Sequence, residues 1–536
     1  MSENYCSFQQ LPFSNLFTTY TSSFKELERF YSTNPFEENA VEEKSKKVQS
    51  KVSREEVVRA LEEYHVYLGI QDSQADQLRK FSNEDALVIV TGQQLGVYGG
   101  PLFTIYKTIS CILLAREWER KLQRPVVPVF WMADEDHDFE EIASIGIPGF
   151  EGFESVSLAQ DGTGLPVSME IIQDTFPDFE TRVKSTLTET DFSDSLFSEL
   201  NGFYEPGKTH VQAFAQLINS IFSKEGVLIV GSNTQLLKDS VKDLFKTSIT
   251  EAETIYNSLE KKSADLEKSF HRQVVVTESN LFYIDDQLGR VKLEKSGNVW
   301  KVGSLTLSQD KLLSLINANP EKFSPNVFLR PVLQDMLLPT LGYVAGPGEL
   351  AYYGQMKDLY PVFDLEMPII FPRLSITLLE KGIERIMEKL PFAMCSYNRR
   401  IEDLEATYVD HTNSRDIEGI FSKWKSEINE AGVQPSGLIK EIDQSLEGLV
   451  GKTVTGFNNE LDKLKGRVYR SIKQQEETQL KRIAKIKSQL FPNGLQERSV
   501  SPIYFMNKYG EDIWDDLITR FGEEELDLTI HHIVSV

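Results

Sequence analysis

Residues 86–142, ALVIVTGQQLGVYGGPLFTIYKTISCILLAREWERKLQRPVVPVFWMADEDHDFEEI, constrain the fold more than any other stretch. An apolar run at 86–90 enters a glycine-rich turn, a long helix follows, and a second apolar run occupies 126–132. Two strands too apolar to carry a wet face, joined by a helix, make a parallel pair covered on both sides. Further strand candidates stand at 227–230, 274–276, 281–284 and 367–371, with helical patterns between them. The expectation is an α/β core over 86–375. Short hairpin-like strands at 270–305 mark an inserted subdomain around 265–320.

The flanks differ. Residues 1–85 read as mainly helical, with REEVVRALEEYHVYLGI apolar at helical spacing, and are expected to pack on the core. After 375 the strands stop, and 376–490 reads as a helical domain. Two helical stretches, 377–430 and 437–490, are split by the breaker EAGVQPSG. In the second, Leu446, Val450, Thr453, Phe457, Leu461, Leu464, Val468, Ile472, Ile483, Ile486 and Leu490 fall at steps of four and three. With Gln475 and Gln479 as polar members this is an eleven-residue repeat, whose seam runs nearly straight or slightly right-handed. A helical hairpin or coiled-coil arm follows, which either dimerises or packs on its own partner helix. Pro492 and Gly494 stop it, and 491–536 returns to the core.

The net charge of -24 speaks against a nucleic-acid partner, because phosphates would be repelled. The locally basic run at 461–487 reads as a solvated helix face. A small molecule or a protein partner fits better. Cys6, Cys111 and Cys395 form no C-x-x-C pair and no disulfide framework, which suits a reducing cytoplasm. The first residues lack a signal-peptide pattern, and no run of about 18 apolar residues suggests a membrane span. A cytoplasmic protein is expected.

GFYEPGKTH at 202–210 has the letters of a phosphate loop, with Gly202, Gly207, Lys208 and Thr209 in register. The strand that such a loop must follow is missing, since DFSDSLFSELNGF upstream has helical spacing. Thr209 and Gln212 instead match a capping box. The turn after 90 is the better anion candidate, because glycines let backbone N–H groups approach a ligand at a helix start. Thr91, Gly92, Gln93, Gln94, Gly96, Gly99, Gly100, Pro101 and Thr104 belong to it, with Lys107 adding a charge. Tight-turn glycines without a ligand are the other reading.

The next strand ends in Trp131 and then Asp134, Glu135, Asp136, His137 and Asp138. Ligands of open α/β sheets bind beyond the carboxyl ends of strands, and crowded carboxylates call for a cation or a substrate ammonium. His137 could donate to phosphate, act as base or ligate a metal. Zinc lacks a second His or Cys nearby, while carboxylate-held Mg²⁺ stays open. A third stretch, 326–360, offers Arg330, Gln334, Gly346, Gly348, Glu349 and Tyr352, and Arg373 with Ser375 follows the strand at 367–371. Arginines at strand ends meet carboxylate or phosphate, or form surface salt bridges.

Together TGQQLGVYGGPLFTIYK, PVFWMADEDHDFEEI, NVFLRPVLQDMLLPTLGYVAGPGELAYYGQ, FPRLSIT and LFPNGLQER resemble the bacillithiol-biosynthesis cysteine-adding (BshC) family. The resemblance implies a Rossmann-like core related to class I aminoacyl-tRNA synthetases, with connecting-peptide insertions and a coiled-coil domain that dimerises. It implies a cysteine ligase that joins L-cysteine to glucosaminyl-malate through an amide bond, with ATP forming a cysteinyl adenylate. On that chemistry the 91–101 loop and Lys107 face phosphates or the malate, and Asp134–Asp138 hold an amine. His137, Asp134 and Asp136 are then catalytic, and Arg330 or Arg373 takes a carboxylate. The synthetase H-I-G-H and K-M-S-K signatures are absent, which puts ATP in doubt. A Mg²⁺-dependent hydrolase and a non-catalytic coiled-coil scaffold are the alternatives.

Overall fold

The computed structural model describes residues 4–149, 152–297, 299–412, 416–524 and 526–536. They form two compact units. One runs to Thr377 and takes in Pro492–Val534; the other holds Leu378–Phe491 with the last two residues.

The first unit is built on a five-stranded parallel sheet. Its strands are β1 (Leu87–Gln93), β2 (Val126–Met132), β3 (Leu228–Val230), β4 (Thr340–Ala345) and β5 (Ile369–Pro372), in the order β5-β4-β1-β2-β3. All of β2, β3, β4 and β5 is buried, as is β1 up to Gly92, which is why these segments lack polar alternation. Helix α1 (Phe103–Leu122) covers the sheet, and the Cys111 thiol donates to the Ile89 carbonyl at 3.0 Å. The chain builds outward from β1 to β2 and β3, then returns to the other side of β1 with β4. That reversal places a ligand crevice at the carboxyl ends around β1. Gly92 closes the end of β1, where a side chain would meet the Trp131 carbonyl at 2.8 Å.

The inserted region forms an antiparallel five-stranded sheet from Leu281–Asp285, Gly289–Ser296, Val299–Val302, Leu305–Ser308 and Phe323–Pro325. Residues 274–276, expected as a strand, are not one. The buried Gln355 side chain takes the place of a neighbouring strand there, accepting from Gln273 N and Val274 N and donating to the Val274 carbonyl. Strands also do not stop at 375, because Ser375–Leu379 and Ile530–Ser535 are extended, the latter pairing with Tyr5–Ser7.

At 210 the capped helix is observed. Helix α2 (His210–Phe222) begins at Thr209, whose hydroxyl accepts from Gln212 N while the Gln212 side chain accepts from Thr209 N. The preceding segment is the helix Ser193–Phe203, not a strand.

In the second unit α3 (Ile417–Ile442) packs along α4 (Glu447–Gln475), followed by α5 (Glu477–Leu490). EAGVQPSG does not split the helices: α3 runs through Pro435, and the turn comes at 443–446. Helix α3 packs along α4 through this stretch, and Gly432 lies so close to Val454 that a Cβ there would meet its Cγ2 at 2.6 Å. The expected seam is covered only in part. Ile483, Ile486 and Leu490 are buried, whereas Leu446, Phe457 and Leu464 are exposed. In the basic run, Lys463, Lys465, Lys473 and Lys481 pair with Glu460, Glu418, Glu405 and Glu477. No described helix is long and apolar enough to cross a membrane.

Candidate functional site

A cavity of about 920 Å³ opens at the carboxyl ends of β1, β2 and β4. Of the residues expected there, Gly92, Gln93, Gln94, Lys107, Trp131, Asp134, Glu135, Asp136, Arg330, Gly346, Gly348, Glu349, Tyr352 and Arg373 line it. Thr91, Gly96, Gly99, Gly100, Pro101, Thr104, His137, Asp138, Gln334 and Ser375 do not.

Several donors of the glycine-rich turn are used within the protein. The N–H groups of Gly96, Gly99, Gly100 and Thr104 reach carbonyls of the turn itself, Tyr98 N donates to the Tyr204 hydroxyl, and Leu102 N donates to Val500. Tyr98, Gly99 and Gly100 all have positive φ, the tight winding that two glycines permit. Lys107 is buried and hydrogen-bonds the Gly92 carbonyl and, at 2.6 Å, Glu349. Glu349 also accepts from the Tyr343 hydroxyl and Gly346 N. Burial lowers the Lys107 pKa, partly countered by Glu349. Lys107 and these N–H groups are therefore already bonded within the protein.

Beyond β2 the carboxylates divide. Asp134 is buried and accepts from the Tyr64 hydroxyl at 2.7 Å and from Ser232 N and Asn233 N. Burial, with Glu135 beside it, pushes its pKa up. A side chain at Gly231 would meet Asp134 Oδ2 and the Tyr64 hydroxyl, each at 2.4 Å, so glycine is what lets β3 end against this pair. Glu135 binds Lys238 and Ser232, both at 2.6 Å, and its Oε2 is buried without a hydrogen-bond partner. Asp136 accepts from Gln94 at 3.0 Å. Burial would raise it, but Gln94, Arg290 and His137 N–H outweigh that and hold it below the usual carboxylate range. Burial raises the neighbouring Glu141, which Gln94 also contacts. His137 stands outside the cavity lining, and Asp138 caps the short helix Phe139–Ile142. Among the described residues no group of three or more His, Cys, Asp or Glu could hold a metal ion.

The arginines differ in kind. Arg373 is buried against Glu497 through two hydrogen bonds, 2.9 and 2.6 Å, and Ser375 joins the same carboxylate. Among the described residues Arg330 forms no ion pair with a carboxylate. Its guanidinium contacts Gln334 Oε1 and the Tyr352 hydroxyl and lies 5.6 Å from the Tyr343 ring centre. Gln334 in turn donates to Asp335, which the Tyr360 hydroxyl also contacts. Arg330 thus keeps donors for a ligand on the β4 side. The β2 and β4 ends flank β1, and the acidic groups and Arg330 both line the cavity.

Several lining residues had no signal in the sequence. Phe282, Arg290 and Lys292 come from the inserted sheet, Gln273–Val275 from the segment clamped by Gln355, and Arg498 from the returning tail.

A parallel α/β core with a ligand crevice at its strand ends, joined to a long helical hairpin, defines a Rossmann-like protein with a coiled-coil domain. Residues 1–374 match the family model described as Bacillithiol biosynthesis BshC, N-terminal Rossmann-like domain. Residues 376–533 match its C-terminal coiled-coil domain. The chain belongs to the BshC family of bacillithiol biosynthesis. It is 31% identical to the BshC of Salinibacter ruber over 98% of this chain and 96% of the relative. It is 30% identical to that of Geobacillus kaustophilus over 87% and 88%, and 32% identical to that of Chloroherpeton thalassium over 85% and 84%.

Proposed function

We propose that the cavity joins L-cysteine to glucosaminyl-malate by an amide bond. The observation behind this reading is the division of charge, with carboxylates on the β2 side and the unpaired Arg330 on the β4 side. An amino sugar carrying malate needs both. Its ammonium is matched by Asp136 and Glu141, and a malate carboxylate by the Arg330 fork. The relatives' naming for cysteine ligation supports the same choice.

Across the reaction the ammonium nitrogen gives up two protons and bonds to the cysteine carboxyl carbon, while one carboxyl oxygen breaks from that carbon and leaves with those two protons as water. Asp136, held ionised beside Gln94 and Arg290, attracts the ammonium before attack. ATP would supply an activated acyl group and take up the departing oxygen, but Lys107 is paired with Glu349 and the N–H groups of Gly96, Gly99 and Gly100 are bonded within the turn, so these donors do not fit its phosphates. Asp134 spends its oxygens on Tyr64, Ser232 and Asn233, and Glu135 binds Lys238 and Ser232 through Oε1 alone; these carboxylates belong to no cluster of three or more ligands among the described residues, which does not suit Mg²⁺. No step is routed through either. The exposed apolar residues of the arm, among them Trp424, Leu449 and Phe457, support self-association through the hairpin.

Complementation of a bacterium lacking its own copy of the gene tests the reading. Asp136→Asn and Arg330→Met are expected to abolish bacillithiol formation at normal protein levels. Undiminished thiol in both would remove this cavity from the reaction.

A further inference from the structure

The inserted sheet reaches the acidic loop through Arg290, with Phe282 beside it. Arg290, on the strand Gly289–Ser296, has only 8% of its side chain exposed. It is held by three contacts. Its Nε donates to Ser324 Oγ at 2.9 Å, its Nη2 to the Pro325 carbonyl at 2.8 Å, and its guanidinium lies 3.9 Å from the Phe282 ring centre. The backbone fixes it further, with Arg290 N donating to Gly164. What remains is Nη1, which stands 3.1 Å from His137 Nδ1 and 3.8 Å from Asp136 Oδ1.

A guanidinium has only donors and does not deprotonate in proteins. A hydrogen bond between Arg290 Nη1 and His137 Nδ1 therefore requires Nδ1 to be the acceptor. In the neutral ring the proton must then sit on Nε2. The competing arrangement, Nδ1–H donating to Asp136 Oδ1 at 3.4 Å, would point two donors at each other across the Arg290 contact. Asp136 does not need that proton, since Gln94 Nε2 and His137 N already donate to it. The His137 side chain is 41% exposed, and Nε2 has no protein partner among the described residues.

We propose that Arg290 is a positioning residue that fixes neutral His137 in the Nε2–H form, so that His137 offers a ligand a hydrogen-bond donor rather than a base. His137 adjoins the cavity-lining Asp136 but is not itself part of the lining, so its exposed Nε2–H is offered to an oxygen acceptor of a ligand that extends past Asp136. The inserted sheet thereby sets the hydrogen-bonding character of His137. The identity of that ligand rests on the ligase reading, but the proton's position is a property of the free protein and is measured without turnover.

The test is long-range proton–nitrogen correlation NMR on the full chain with ¹⁵N-labelled histidine, at about pH 8, where free imidazole is neutral. The His137 signals are identified by their loss in His137→Gln. The wild type should show the Nε2–H pattern, Arg290→Met should move the ring toward Nδ1–H with Asp136 as acceptor, and Arg290→Lys should restore Nε2–H. A wild-type Nδ1–H pattern would overturn the proposal even if the ligase assay gave product. So would an unchanged Nε2–H pattern in a folded Arg290→Met. If that variant does not fold, the wild-type pattern decides. A ligase assay without product would leave the tautomer result standing.

Discussion

Arg373 offers the sharpest test of how ligand groups and structural groups were separated. Glu497 is fully buried and takes two hydrogen bonds from Arg373, one from the Ser375 hydroxyl and one from Ile376 N at 3.0 Å. Burial works against its charge, but Arg373 and these donors outweigh burial and hold its pKa below the usual range. Replacing Arg373 with methionine leaves an unpaired buried carboxylate, and Glu497→Gln leaves an unpaired buried guanidinium. Each should cost about 3–5 kcal/mol. Arg373→Met/Glu497→Gln removes both charges, so its loss should fall short of the summed single losses by about 2–3 kcal/mol. Urea unfolding at neutral pH measures all three. A depressed carboxylate stabilises above its unfolded pKa of about 4.3, and that stability is lost as pH falls through the folded value. The Glu497→Gln deficit should therefore shrink in acid. Wild-type stability in Arg373→Met, together with lost binding of a carboxylate ligand, would refute the reasoning and return Arg373 to the substrate.

Three further outcomes follow from single contacts. Burial raises the Asp335 carboxyl to about 6; it stabilises while protonated below about pH 4, and that stability fades as pH rises through 6, by about 3 kcal/mol. Asp335→Asn should flatten the difference in unfolding free energy between pH 4 and pH 7, and an unchanged slope would contradict it. Thr209→Val should cost about 1 kcal/mol by calorimetry through the lost cap of α2, with no change in nucleotide binding. Leu449→Glu with Phe457→Glu should lower the sedimenting mass if the arm self-associates, and an unaltered mass would oppose that role.

The parallel sheet was legible because burial on both faces leaves a plain mark in β1, β2 and β5. Thr209 was legible because a capping box is local. Contacts made across the chain were not. Arg373 resembles a ligand arginine until Glu497 arrives from the tail, 124 residues on. The run 274–276 has strand residues, yet a glutamine side chain occupies the neighbouring strand's place. Pro435 reads as a breaker because propensity carries no knowledge of α4. Among candidate site residues, the acidic loop and Arg330 could be named from position at strand ends. Arg290 could not, since nothing in DDQLGRVKLE says that this hairpin leans over β2.

The central claim is that this cavity makes the amide between cysteine and glucosaminyl-malate. The direct measurement is mass spectrometry of purified protein incubated with both substrates, with and without ATP, beside Arg330→Met. Bacillithiol from the wild type in at least one arm, reduced at least tenfold in the variant, is the predicted result. No product in either arm, or equal product from Arg330→Met, would contradict it.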